Sequence, residues 1–368
     1  MQIKKNKSLT NAEIVNFLSD LSKNIISNQL YKNHSDLISF AFYIRRKNIE
    51  SILLRELNQN NQPIGSVLHI SPSNIPINFA FSFLFGILTK NKNHVKLPSK
   101  NYEVISLLIS EIDILRETYD FLNEYLLFYK LSHDDEILED LIDKVDGCIV
   151  WGGDETVNVF KNKTLHKSPD FKSIYFNNKV SSLILNLNHS DFNNKTFENF
   201  YNDTLLMNQN ACSSPSNIFV INCINSDLYL DDFFNKFDEY CVNTKKNIEP
   251  INRINKLVDS SSGFFKEPSV YKKYTNSWLA TSHLNKYNKY GTYNIIKIQS
   301  LSEIKKYIRK NEQTLSYYGV DKDKISSVLI DNGIYVNRIV PLGKSLDIDY
   351  VWDGKNILNE LTKIMDVR

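Results

Sequence analysis

One cysteine of this chain sits where a nucleophile would be useful. Ala211-Cys212-Ser213-Ser214 leads through Pro215 into the apolar run Ile218-Phe219-Val220-Ile221, which puts the thiol in a polar turn just before a buried strand. Thiolate chemistry needs such a place, because sulfur and backbone donors must be fixed together around one carbonyl. A small buried hydrophobe is the other reading of a lone cysteine. A second group lies in Ile70-Ser71-Pro72-Ser73-Asn74-Ile75-Pro76, where two prolines fix a turn and Asn74 stands between them. Its amide can donate to a developing oxyanion, or it can cap the helix that follows. In His94-Val95-Lys96-Leu97-Pro98-Ser99 a lysine ends a short strand and a serine follows. Lys96 and Ser99 there suit the ribose or phosphate of a nucleotide, which binds at the carboxyl ends of parallel strands; a solvated surface lysine is the alternative. Val150-Trp151-Gly152-Gly153-Asp154 reads as strand, turn and helix. Gly152 and Gly153 admit close backbone approach, and the helix start can face a phosphate, although a glycine pair says less than a full GxGxxG.

These residues need elements to carry them. Asn11 to Leu21 and Leu37 to Leu57 have apolar positions at helical spacing. Ile64 to Ile70 suits a buried strand and Ile75 to Leu88 a buried helix. His94 to Leu97, Asn101 to Tyr119, Val145 to Trp151 and Asp154 to Phe160 then alternate as strand, helix, strand, helix. That interval predicts a parallel sheet with crossover helices. Near Asn202 the pattern changes. A strand at Ile218 to Cys223, a helix at Asp231 to Asn243, a strand at Tyr293 to Ile298, a helix at Ser302 to Glu312 and a short element at Ser326 to Ile330 form a second block. Signals from Pro250 to Gly291 are mixed, with Ser260-Ser261-Ser262-Gly263 as a loop. The expected architecture is α/β, with one domain over 1–206 and a catalytic one over 207–341.

Composition narrows the field. At 368 residues the chain suits two or three domains. A formal net charge of +2 provides no field for nucleic acid or an anionic membrane. The four cysteines, Cys148, Cys212, Cys223 and Cys241, form no CxxC unit, so reduced thiols in the cytoplasm are the simplest account. No signal peptide is visible in Met1 to Thr10, and the apolar run Ile75 to Leu88 is too short to span a bilayer. HExxH, Walker A, GxSxG and paired metal-ligand histidines are absent, so no metal is expected. His69 and His94 read as core or strand histidines. Phe79, Phe81, Phe83 and Phe85 read as core, with the lining of an apolar tunnel as the alternative.

Taken in order, the segments His69 to Pro76, Val95 to Ser99, Ile149 to Glu155, Asn208 to Pro215, Val336 to Gly343 and Trp352 to Gly354 resemble the aldehyde dehydrogenase superfamily. Within it they are most similar to the acyl-CoA reductase family, typified by the fatty-acid reductase of bacterial luminescence (the LuxC type). The resemblance runs from Pro63 to the end. It implies an aldehyde-dehydrogenase-like fold, with a Rossmann-like cofactor domain to which 342–368 returns, unless that segment forms an oligomerisation edge. It also implies that Cys212 is the nucleophile and Asn74 the oxyanion-binding amide. Lys96 and Ser99 would lie beside the adenosine ribose, and Gly152 and Gly153 near the pyrophosphate or nicotinamide.

Departures from the family pattern carry information too. Aldehyde-oxidising members have a water-activating glutamate in Glu-Leu-Gly-Gly-Lys, where this chain has Tyr175-Phe176-Asn177-Asn178-Lys179. The loss fits a reductase. Ser99-Lys100 replaces a ribose-binding glutamate, which favours NADPH while leaving NADH open. No counterpart of a second family glutamate stands out near Asn288 to Gly291. The activity implied is reduction of an acyl thioester to an aldehyde, the acyl group coming from coenzyme A, an acyl-carrier protein or an acyl-protein synthetase, in a homo-oligomer. Three rivals remain: an aldehyde-oxidising dehydrogenase, a scaffold partner of a synthetase, and a cofactor-free cysteine acyltransferase.

Overall fold

The computed structural model describes residues 9–132, 134–187, 192–221, 226–262, 269–281 and 289–367. Cys223, Gly263 and Asn288 lie outside them. The chain forms two compact units, one holding the polypeptide up to Asn177 and again from Asp349, the other Asn178–Ile348.

Three helices open the first unit: α1 (Asn11–Ser27), α2 (Ser35–Tyr43) and α3 (Arg46–Glu56). The single helix expected over Leu37 to Leu57 is broken at Ile44-Arg45. There the Asn48 side chain takes the Tyr43 carbonyl at 2.7 Å, a bond that competes with helical pairing. Next come β1 (Asn61–Pro63), β2 (Ser66–Ile70), α4 (Asn78–Leu88), β3 (Lys92–Lys96), α5 (Glu103–Leu115), α6 (Leu122–Tyr125), β4 (Leu126–Tyr129), α7 (Glu136–Lys144), β5 (Gly147–Trp151), α8 (Asp154–Lys163) and β6 (Lys172–Phe176). Strands β2 to β6 pair in parallel in the order β4-β3-β2-β5-β6. The order reverses between β2 and β5, and ligands of such sheets bind at that switch, beyond the carboxyl ends of the strands. Every residue of α4 is buried: Phe79 and Phe83 pack edge-on against Phe128, Phe81 packs against Phe40 and Tyr43, and Phe85 is fully enclosed. They are core.

A buried polar chain crosses this sheet. Trp151 Nε1 donates to Ser82 Oγ at 3.0 Å, Ser82 Oγ meets His69 Nδ1 at 2.8 Å, and His69 Nε2 meets Asn93 Oδ1 at 2.9 Å. The Asn93 amide donates to the Asn91 and Tyr125 carbonyls, so its oxygen must accept and His69 must carry its proton on Nε2. Burial pulls the His69 pKa down to about 3, which keeps the ring neutral. Gly86 is required beside this chain, because a Cβ there would sit 1.7 Å from Asn93 Oδ1.

The second unit runs β7 (Val180–Leu185), α9 (Asn194–Thr204), β8 (Pro215–Ile221), α10 (Ser226–Asn243), α11 (Pro250–Ser262), β9 (Ser269–Lys273), β10 (Trp278–Thr281), β11 (Thr292–Ile298), β12 (Glu312–Tyr318), α12 (Lys322–Asp331) and β13 (Arg338–Pro341). Its sheet has the order β13-β12-β7-β8-β11-β10-β9, with only β9 antiparallel to its neighbour. One face buries Leu183, Leu185, Ile218 and Val220 with Phe200, Phe233 and Phe237; the other buries Ile184, Phe219 and Leu315 with Ile304, Ile325 and Leu329. The chain enters this unit at 177/178 and leaves it at 348/349, not at 206/207 and 341/342. The change near Asn202 falls inside α9, whereas β7, already a central strand here, precedes it. Helix α11 continues through Ser262 where a serine loop was expected. The helix expected at Ser302 to Glu312 is a short 3-10 turn, Leu301–Lys306, and Glu312 instead opens β12.

The polypeptide then rejoins the first unit as the hairpin β14 (Val351–Trp352) and β15 (Lys355–Asn356), α13 (Ile357–Glu360) and β16 (Thr362–Ile364). Asp353 and Gly354, both at positive φ, make the hairpin's two-residue turn. Strand β16 pairs antiparallel with β1, Asn61 opposite Ile364.

Candidate functional site

In the second unit Cys212 occupies the turn that joins α9 to β8. Ser214 N donates to the Ala211 carbonyl at 3.0 Å, closing a four-residue turn in which Cys212 is the second residue. The thiol is partly exposed and in no disulfide. Cys148 and Cys241 differ: burial pushes both thiols up to about 12, which leaves them inert. Among the described cysteines Cys212 is the one placed to react.

The backbone around it is held from three sides. Ser181 Oγ on β7 donates to the Cys212 carbonyl at 2.7 Å and accepts from Thr314 N of β12 at 3.1 Å. Asn208 and Gln209 have φ of 51° and 59°, a conformation costly for residues with a Cβ. Gln209 is fully buried. Its Nε2 donates to the carbonyls of Pro215 and Thr292 at 2.8 and 3.0 Å, and its Oε1 accepts from Gly291 N and Thr292 N at 2.9 and 3.2 Å. All four capacities of one amide tie the cysteine loop to the starts of β8 and β11. Lys256 of α11 adds a bond to the Gly291 carbonyl at 3.4 Å, and burial pulls its pKa down to about 6. Sequence reasoning passed over Gln209 and Lys256, since positive φ outside glycine leaves no mark in composition.

In the first unit, the sequence-derived residues Asn74, Lys96, Ser99, Gly152 and Gly153 lie at the carboxyl ends of β2, β3 and β5, Lys96 as the last residue of β3 and the others in the segments that follow. The structure brings these five to one sheet edge. Asn74 is exposed and does not cap α4; that helix starts four residues later behind Ile77, with no side-chain cap. Lys96 is only 3% exposed, and burial lowers its pKa. Among the described residues no carboxylate pairs with it. Ser71 Oγ and Asn78 Oδ1, also at this edge, are buried without a hydrogen-bond partner. Buried polar groups are normally satisfied, so a cation, a hydroxyl and an amide oxygen left open together mark a place built for a polar ligand. Ser99 and Lys100 are exposed in the following loop, whose Tyr102 hydroxyl bonds to the Ser73 carbonyl.

The two glycines divide in role. Gly152 N donates to the Phe176 carbonyl at 3.1 Å, and a Cβ there would lie 2.8 Å from Thr156 Cβ. Gly153 is the N-cap of α8, whose first turn carries Asp154 and Glu155. Two carboxylates at that helix start repel a phosphate. Helix α4, by contrast, begins with no acid and no side-chain cap, next to Ser71 and Asn78. Although the Asn78 and Ala80 N–H groups bond to the Ile75 and Ile77 carbonyls, the absence of acids makes this helix start the better match for an anion at this edge.

No group of three or more His, Cys, Asp or Glu side chains could hold a metal ion among the described residues. No helix among them is long and apolar enough to cross a membrane.

Comparison with known proteins adds to this geometry. The chain is 23% identical over 277 residues to the long-chain acyl-protein thioester reductase of Vibrio harveyi, covering 71% of this chain and 55% of that protein. The corresponding Aliivibrio fischeri reductase is 24% identical over 290 residues, covering 77% and 59%. The chain thus spans somewhat over half the length of these curated relatives. Among solved structures, a salicylaldehyde dehydrogenase from Pseudomonas putida G7 superimposes with a TM-score of 0.71 at 14% identity, over 98% of this chain and 86% of that one. A glyceraldehyde-3-phosphate dehydrogenase from Methanocaldococcus jannaschii, solved with NADP, gives 0.67 at 15% identity, over 98% and 90%. The fold is therefore that of the aldehyde dehydrogenases. The family profile described as acyl-CoA reductase (LuxC) matches residues 32–364, and the chain belongs to that family.

Proposed function

We propose that the protein reduces an activated acyl group to an aldehyde by way of an acyl-cysteine on Cys212. The observation that carries this reading is the partly exposed Cys212 thiol in a turn tied to three strands, within a chain of the acyl-CoA reductase family. Cys212 as thiolate attacks the thioester carbonyl, and the donor's sulfur leaves with the bonding pair. The Asn74 amide is the donor proposed for the developing oxyanion, a contribution of about 3 kcal/mol. Dividing the reaction at a covalent stage replaces one difficult step by two easier ones. When bound, a reduced nicotinamide nucleotide supplies the hydride. Lys96, Ser71, Ser99 and the start of α4 would hold its ribose and phosphates. Gly152 and Gly153 are assigned to its nicotinamide side, because Asp154 and Glu155 disfavour phosphate there. Lys100 beside Ser99 favours NADPH over NADH through attraction to a 2′-phosphate. After reduction Cys212 departs as thiolate and the aldehyde is released.

Tyr175 to Lys179 holds no carboxylate to activate water, which supports reduction over aldehyde oxidation. The acyl donor is proposed to be a thioester of coenzyme A, a carrier protein or an acyl-protein synthetase, and the enzyme to be a cytoplasmic homo-oligomer. The test is incubation with NADPH and acyl thioesters of several chain lengths, following nicotinamide absorbance and trapping aldehyde. Cys212→Ala is expected to lose both acyl labelling and aldehyde formation. Normal thioester reduction by that variant would overturn the assignment.

A further inference from the structure

A second buried polar chain crosses the sheet of the second unit, at the amino ends of its strands. Asn294 Nδ2 on β11 donates to Asn217 Oδ1 on β8 at 3.0 Å, and Asn217 Nδ2 donates to Ser182 Oγ on β7 at 3.2 Å. The Glu312 carboxyl, at the start of β12, comes next along this row, where the Ser182 hydroxyl favours its charged form. Each amide donor is spent on the next strand. The chain ends on a carboxyl that is 4% exposed and whose Oε1 has no hydrogen-bond partner among the described residues. Nothing in the proposed reaction uses this group.

Its place in the fold gives it consequence. Ladder pairing of β12 with β7 is irregular between Glu312 and Leu315, so the register of that strand shifts at its amino end. Thr314, inside that irregularity, donates from its N–H to Ser181 Oγ, and Ser181 holds the Cys212 carbonyl. A neutral Glu312 brings no charge into this buried layer. A carboxylate there would stand in a dry environment with one oxygen unsolvated, and it could be hydrated only by opening the end of β12. That opening takes Thr314 N from Ser181, and Ser181 from the cysteine turn.

We propose that Glu312 is a positioning residue: its protonated carboxyl keeps the Cys212 turn in register, and its ionisation lets that turn loosen. The inference rests on the reading of Cys212 as the acyl-accepting thiol and deepens it. Burial pushes the Glu312 pKa up to about 8, the Ser182 hydroxyl opposing. No charged neighbour contributes. Lys179 precedes β7; Arg309 and Lys310 are exposed before β12; Arg338 of β13 donates to the carbonyls of Ser345 and Lys344; Lys322, Asp323 and Lys324 of α12 are exposed. None of these is among the influences on Glu312.

Amide hydrogen exchange over residues 207–215, corrected for the chemical rate, tests this on the full chain. In the wild type, protection is expected to be flat below about pH 8 and exchange to rise about tenfold per pH unit above it, the dependence of an opening that releases one proton. Glu312→Gln should abolish the rise. Ser182→Ala, which removes the hydroxyl that favours the charged form, should move its onset to higher pH, a displacement that a purely structural role would not produce. A flat wild-type profile overturns the proposal whether or not either variant folds, and so does a rise that persists in Glu312→Gln. Acyl labelling of Cys212 in the wild type at about neutral pH is scored separately. Labelling without a pH-dependent rise discards Glu312 alone, whereas a rise without labelling discards the catalytic reading and leaves the bracing.

Discussion

Gln209 lies in a left-handed backbone conformation that few residues other than glycine adopt, and its own side chain explains how it stays there. Four hydrogen bonds from one buried amide offset a strained φ and fix the loop that ends at Cys212. Gln209→Ala would leave the Gly291 N–H without its partner and strip the Pro215 and Thr292 carbonyls of the amide that donates to them. The expected loss is about 3 kcal/mol in denaturant unfolding of the second unit. Alkylation of Cys212 by iodoacetamide should become less selective against the other thiols in the same variant. Gln209→Glu should be no better, because a carboxylate cannot donate to Pro215 and Thr292. Cys212 and Asn74 stand out in the sequence as candidates because a cysteine at a polar turn and an amide between prolines are chemically conspicuous. Gln209 and Glu312 do not, since their importance comes from what long-range pairing brings to them: Gly291 lies 82 residues from Gln209 along the chain.

At the scale of elements, patterning served the first sheet better than the second. Strands β2, β3 and β5 are apolar enough to be found by eye, and the helices between them followed. Strands β7 and β12 were missed because they begin with Val180-Ser181-Ser182 and Glu312-Gln313-Thr314, residues that read as surface. All six are buried. Cross-strand bonds satisfy the Ser181 and Ser182 hydroxyls and the Thr314 N–H, pairing that local sequence cannot reveal. Helix α4 raises the opposite matter, an apolar helix whose one critical residue is a glycine. Gly86→Ala would drive a methyl group into Asn93 Oδ1, an atom that cannot retreat while Asn93 holds His69, Asn91 and Tyr125. An overpacking cost of about 3 kcal/mol is expected, measured as a lower urea midpoint at unchanged m-value.

For the whole molecule, buried titrating groups tie the stability of each of the two units to pH. His69 in the first is held neutral with its pKa lowered to about 3. The unfolded chain therefore binds the extra proton first, and this unit's stability is lost as pH falls from about 6.5 towards 3. In the second unit, burial raises Asp203 to about 6 although it accepts from Gly343 N and Ser345 N, and it raises Glu312 to about 8. Folded-state pKa values above the unfolded ones mean that their contribution is fully present at low pH and is lost as pH rises through those values. Lys256, lowered to about 6 in the same unit, works the other way between about pH 8 and pH 6 and opposes Glu312 there; below about pH 6 acid should strengthen the second unit through Asp203 and Glu312 while it weakens the first. Exchange measured unit by unit across that range checks this; parallel behaviour of the two would refute it.

The pairing of β16 with β1 makes the first unit discontinuous, since its closing strand lies beyond the entire second unit. During synthesis on the ribosome, Asn178–Ile348 emerges as one uninterrupted stretch and can complete its sheet while the earlier unit still lacks an edge. Until the final strand is released, the residues around Asn61 to Pro63 present unpaired backbone to any chaperone or neighbouring nascent chain. Premature termination after Ile348 would therefore damage the half of the molecule that was translated first.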